Sequence, residues 1–335
     1  MKSALVIGYG QIGSEIASQL TAAGVHVAVA TRSAPVAVPV TATAGPGSAE
    51  PTYANQANRA DHANRANRAD HATIARVRAD ASDPAQLLEA AAGSDVIFAC
   101  VHAPYDSRVW AQVLPQLEKT IMDVAAELGI PVIFPESVYA FVGLTSPVTE
   151  SSPFAPVEEK GRIRQQLMEA RLEHPATSAS IIAGDLLGRS AQPMSSVVKM
   201  CITDPISKGR RARVPARSDV PHGITVIEDL AAAMIRAGQL LEDVPTGTHR
   251  LLIAPSSNPT LAEIAKFTHE HLGTRPKSPL SLPRWTTRVA GIVERSMYEL
   301  NQLSPIWYSP CVIETAGFAE DLGTTDWREG VRQML

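Results

Sequence analysis

The chain has 335 residues, and 30 lysines and arginines against 34 aspartates and glutamates leave a formal charge of −4. That balance carries no global footprint for nucleic acid, while 45% hydrophobic and 19% charged residues allow a packed core and exclude wholesale disorder. The three cysteines, Cys100, Cys201 and Cys311, are far apart and odd in number, which excludes a disulfide framework and a CxxC metal site and suits a reducing compartment. No apolar run approaches the roughly 18 residues of a membrane span. The apolar start Ala4–Ile7 ends at Gly8 with Gln11, Ser14 and Glu15 soon after, unlike a signal peptide. A cytoplasmic protein with no membrane, nucleic-acid or metal partner is expected.

The first forty residues carry the strongest signal. Ala4 to Ile7 reads as a strand buried on both faces. Gly8-Tyr9-Gly10-Gln11-Ile12-Gly13 follows and fits GxGxxG. The next segment places Ile12, Ile16 and Leu20 on one helical face, and Gly24 closes it before a second apolar run, Val25 to Ala30. In such a unit the first glycine allows the tight turn, the second admits a pyrophosphate against the backbone, and the third lets helix and strand pack closely. The helix N-terminus then offers free N–H groups and a positive dipole end to the phosphates. Gly8, Gly10, Gln11, Ile12 and Gly13 are therefore candidate cofactor residues. After the second strand, where an NAD site usually carries a carboxylate, the chain has Thr31-Arg32-Ser33. A guanidinium and a hydroxyl suit a 2′-phosphate, so Arg32 and Ser33 favour NADP over NAD.

Residues from about 34 to 72 do not read as core. Prolines and glycines break the periodicity, and then ANQANRADH at 54–62 is followed by ANRANRADH at 63–71. Two copies without a large apolar residue do not make a solenoid, and a mobile insertion is the expectation. Beyond it, strands are expected at Ile74–Val77, Asp95–Val101, Pro131–Phe134 and Ala179–Ala183. Helices are expected at Leu87–Ala92, Trp110–Leu128 and Glu158–Glu173. This alternation argues for an α/β, doubly wound parallel sheet of Rossmann type. We expect residues 1–188 to form its core, and 189–335 to supply the remaining core elements and a smaller C-terminal substrate lobe. That second part should hold helices near Asp229–Leu241 and Leu261–His271 and a strand at His249–Ile253. A further helix near Trp285–Leu300 has an apolar stripe suited to the core or to the interface of a homodimer.

The chain resembles the short-chain dehydrogenase/reductase superfamily, and within it the extended and atypical members called NAD-dependent epimerase/dehydratases. The glycine loop carries this, with Asp80-Ala81, the run Val101-His102-Ala103-Pro104-Tyr105, Phe134-Pro135-Glu136-Ser137-Val138-Tyr139, Glu159-Lys160-Gly161-Arg162, Ile227-Glu228-Asp229-Leu230 and Trp327-Arg328-Glu329-Gly330. GxGxxG in place of GxxGxxG points to the atypical branch. The resemblance implies that Asp80 and Ala81 meet the adenine and that Val101, His102 and Ala103 line the ribose and nicotinamide. It further implies a serine, a tyrosine and a lysine as catalytic groups, the last two spaced YxxxK, with the lysine holding the nicotinamide ribose. Ser137 and Lys160 match, but the residue four before Lys160 is Pro156, which has no proton to give. Tyr139, two residues beyond Ser137 on one side of an extended segment, is the candidate substitute.

Two further residues are candidate substrate contacts: Tyr105, and His222, whose ordinary pKa near 6.5 suits a proton shuttle. The expected activity is NAD(P)-dependent oxidoreductase or epimerase chemistry on a small carbonyl or hydroxyl compound, such as a sugar derivative. The rival is a protein of the same fold that binds NADP(H) without turnover.

Overall fold

The computed structural model describes residues 1–33, 74–286, 295–315 and 317–335. The expected insertion and its repeat, and the middle of the helix expected at 285–300, lie outside the described residues.

In chain order the core elements are β1 (Ser3–Ile7), α1 (Gln11–Ala22), β2 (His26–Thr31), β3 (Ile74–Arg78), α2 (Pro84–Ala91), β4 (Ile97–Ala99), α3 (Ser107–Leu128), β5 (Val132–Ser137), α4 (Glu159–Glu173) and β6 (Ser178–Ala183). There follow β7 (Asp185–Leu187), β8 (Arg213–Val214), β9 (Ile224–Val226), α5 (Ile227–Leu240), β10 (His249–Ile253), α6 (Leu261–His271), β11 (Leu280–Ser281) and α7 (Arg295–Gln302). The central sheet runs β10-β6-β5-β4-β1-β2-β3, and every neighbouring pair is parallel. This is the doubly wound Rossmann order with a seventh strand at one edge. Its strand order reverses between β1 and β4, where such sheets open a crevice at their carboxyl ends.

Burial follows from strand alternation. On β5, Val132 and Phe134 join the core beneath α2, α3 and α4, while Ile133 joins the core beneath α1 and α5. A third cluster of buried residues draws on 138–148, 187–227, 253–265 and 303–334, together with Met168 of α4 and Ile182 of β6. Two small parallel pairs lie outside the central sheet, β7 with β9 and β8 with β11. Strands of two or three residues carry no readable period, and the sequence reading missed them. Helix ends follow ordinary capping rules: Asp83 accepts from Ala85 and Gln86 N–H, and Gly129 ends α3 at φ 67°.

Lys160, Arg162 and Arg164 can be read as a charged, solvated face, but Lys160, Arg164 and Arg171 lie on the buried side of α4 with Ile163, Leu167 and Met168. Arg162 instead turns outward and donates to the Val157 carbonyl.

Candidate active site

The turn after β1 has the geometry its glycines require. Gly8 adopts φ 90°, and a Cβ on Gly13 would stand 2.1 Å from the Gly8 carbonyl oxygen, so neither position accepts a side chain. Gly10 is different: a Cβ there would meet nothing within 4 Å among the described residues. Gly10 caps α1 without a side-chain hydrogen bond, and no acidic residue sits in the first turn. The amino end of α1 therefore presents open N–H groups and an uncompensated positive dipole end, a fit for a pyrophosphate. The segment after β7 reaches this turn. Gln11 Oε1 accepts from Gln192 N–H at 3.1 Å and from Ser195 Oγ at 2.8 Å, and the Gln11 carbonyl accepts from Ser190 Oγ.

A cavity of about 780 Å³ opens beside the turn, at the carboxyl ends of β4, β5 and β6. It gathers many of the expected residues: Gly10, Gln11, Ile12, Val101, His102, Ala103, Tyr105, Ser137, Tyr139 and His222 all border it. Arg32, Ser33, Asp80 and Ala81 do not. They lie at the ends of β2 and β3, where two hydrogen bonds from Ser82 hold the Asp80 carboxyl below its usual range, with a smaller contribution from the Arg32 charge.

Lys160 is also off the cavity wall. It is buried, ion-paired with the buried Glu299 of α7, and its Nζ stands 4.0 Å from the centre of the Tyr105 ring and 5.1 Å from that of Trp110. Glu299 Oε1 also accepts from the Ser107 N–H and hydroxyl at the start of α3. The Tyr139 hydroxyl, for its part, meets the Tyr105 hydroxyl at 3.1 Å. Burial pushes both phenols above their ordinary pKa, so both are proton-bearing at neutral pH.

Sequence reasoning missed a buried network of charges on the same wall. Glu136 follows Val132 and Phe134 in the alternation of β5, which points it at α3 and α4. There Arg171 forks onto Glu118 with two bonds of 2.8 Å, reaches Glu136 Oε2 at 3.1 Å and donates to Ser180 Oγ at 2.8 Å. Arg164 Nε lies 3.5 Å from Glu136 Oε1, and the Arg164 guanidinium also contacts His102 Nε2. Arginine can only donate, so Nε2 is the acceptor and His102 carries its proton on Nδ1, 2.6 Å from the Ala103 carbonyl. Desolvation, with help from Arg164, lowers the His102 pKa to about 4; the ring is neutral. One signal was available: Arg164 and Arg171 fall four and eleven residues after Lys160, on one helical face.

His222 is buried and holds the Arg217 carbonyl through Nε2 at 3.1 Å. Burial lowers its pKa. Asp185 also borders the cavity. Its carboxylate accepts from Val197 and Val198 N–H at 3.0 Å each, and burial raises its pKa to about 6.

Asp185 and His249, whose pKa burial lowers to about 4, make opposed contributions to acid stability. His249 binds its proton less readily folded than unfolded, so its contribution to stability is lost as pH falls from about 6.5 to 4, by about 3 kcal/mol. Asp185 binds its proton more readily folded, so a similar amount is regained between about pH 6 and 4. Denaturant titrations should show D185N losing stability across that interval relative to the parent, and H249N gaining it.

Comparison with solved structures gives the same architecture. MoeE5, solved with UDP-glucose and NAD, superposes with a TM-score of 0.67 at 14% identity, covering 99% of this chain and 97% of that one. WbmG of Bordetella bronchiseptica, solved with NAD and UDP, gives 0.67 at 13% identity, covering 99% and 93%. The UDP-glucose 4-epimerase of Thermotoga maritima gives 0.65 at 13%, covering 99% and 97%. These likenesses bear out the expected epimerase/dehydratase type of fold. No curated protein matches the chain. The family model for NmrA-like proteins matches residues 2–277, a span that holds the glycine turn, the sheet and most of the cavity wall: the chain belongs to the NmrA-like family.

Proposed function

We propose that the chain binds NADP(H), and NAD(H) less well, and uses it to oxidise or reduce a small carbonyl or hydroxyl compound. The observation that carries this reading is the uncapped end of α1, with Gly10 clear of side chains, at the mouth of a large cavity where the strand order reverses. The NAD in MoeE5 and WbmG supports a nicotinamide coenzyme. Arg32 supports the phosphorylated form, since a guanidinium beside a 2′-phosphate forms charge-assisted bonds.

The coenzyme, when bound, supplies or takes up hydride. The chain would contribute the rest. Ser137 hydrogen-bonds the substrate oxygen. Tyr139, kept protonated by burial, gives that oxygen its proton, and Tyr105 at 3.1 Å passes a replacement. Arg164, fixed against Glu136 and His102, is a permanent positive charge on the same wall and favours a developing oxyanion. Lys160, behind the Tyr105 ring and paired with Glu299, is assigned a positioning role for that ring and not a hold on the ribose.

Tyr139→Phe should cut turnover by about 10²–10⁴ while leaving NADPH affinity within a factor of about two. Undiminished NADPH oxidation by that variant would overturn the assignment. A second reading, coenzyme binding without turnover, draws on Pro156 in the usual tyrosine position and on the capture of Lys160 by Glu299. Saturable NADPH binding with no oxidation across aldehydes, ketones and quinones would favour it.

A further inference from the structure

We infer that the cavity selects an apolar, ring-sized carbonyl compound bearing at most one negative charge, and that it excludes sugar nucleotides. This deepens the proposed function and rests on that reading. The argument is one of charge and surface. Beyond Tyr139 the wall is supplied by the lobe: Val197, Met200, Pro215, Leu303, Ile306 and Trp307, all but Met200 buried. Such a wall offers dispersion and desolvation to an apolar body and little to a hexose.

The cations tell the same story. Three guanidiniums border the cavity: Arg164, Arg171 and Arg213. Arg171 is held by Glu118 and Glu136, and Arg164 by Glu136. Arg213, exposed on β8 at the rim, has no carboxylate partner among the described residues. Asp185 adds a carboxylate to the same wall, its oxygens already engaged by Val197, Val198 and Ser196. A nucleoside diphosphate brings two negative charges, and burying them against one free cation and a carboxylate is costly. A single carboxylate at Arg213, or none, is tolerated.

The proposed reaction adds one requirement: the ligand is apolar in body and carries its carbonyl oxygen beside Ser137 and Tyr139, both on the cavity wall.

The experiment uses the full chain. NADPH binding is measured first by calorimetry; its absence defeats the coenzyme reading and is recorded separately. The protein is then saturated with NADP⁺ and titrated with 2-naphthaldehyde, naphthalene, 2-naphthoate and UDP-glucose, following tryptophan fluorescence. The aldehyde should bind about 100-fold more tightly than UDP-glucose. Arg213→Leu should weaken the naphthoate about tenfold and spare the aldehyde. UDP-glucose binding as tightly as the aldehyde, or a naphthoate affinity unmoved in R213L, overturns the inference.

Discussion

Replacing Arg171 with methionine is expected to destabilise the protein by about 3–5 kcal/mol, measured by denaturant unfolding. The guanidinium is 1% exposed, forks onto Glu118, reaches Glu136 and Ser180, and lies 4.1 Å from the centre of the Phe134 ring. Methionine fills much of its volume, so little of the loss comes from packing. It comes from two carboxylates left inside with one cation fewer. The double variant R171M/E118M removes a cation and an anion together, leaving Glu136 with Arg164. It should recover most of the loss, because an apolar pair of similar volume often does as well as a buried ion pair. Losses that simply add would show that the pair acts through shape and not charge.

Gly10→Val is expected to leave the melting temperature within a few degrees of the parent and to lower coenzyme affinity by about 100-fold or more. A Cβ at this position meets no described atom beyond its chain neighbours within 4 Å and the backbone needs no positive φ, so the cost to the fold is limited to a poorer N-cap residue on α1. The branched side chain would instead stand where a pyrophosphate must approach the backbone. Gly13→Ala is the contrasting case. Its Cβ would sit 2.1 Å from the Gly8 carbonyl, and it should cost both stability and binding. Calorimetry with NADPH and NADH, paired with thermal melts, separates the two. Retained affinity in G10V would place the coenzyme elsewhere.

The part of the fold legible in the sequence is the part whose signals are local. The run Ala4–Ile7, the glycine turn and the second run Val25–Ala30 each declare themselves within a few residues. The observed β1, α1 and β2 lie within two residues of the expectation. The strands β3, β5, β6 and β10 followed from short apolar segments between helical periods. What stayed hidden needed partners distant in sequence. β8 exists because Arg213 and Val214 pair with Leu280 and Ser281, and no pattern in either dipeptide says so. The inward face of α4 was concealed because it carries Lys160, Arg164 and Arg171, and an apolar period cannot reveal a face whose burial rests on charge neutralisation by Glu299, Glu136 and Glu118. Ser137 and Tyr139 were legible as a pair, although Val138–Phe141 coils as a 3-10 helix and not as the extended segment expected, and Tyr105 was legible only as a candidate substrate contact. That Lys160 stands behind the Tyr105 ring was not, because the carboxylate holding it comes from α7, 139 residues further on.

All three cysteines of the chain border the one cavity. Burial lifts the thiols of Cys100, Cys201 and Cys311 to about 12, 12 and 11. The thiolate is the nucleophile that attacks peroxides and electrophiles, and at neutral pH these thiols are almost wholly protonated. The chamber is therefore sulfur-rich yet weakly nucleophilic, and its sulfurs serve as a soft, polarisable lining.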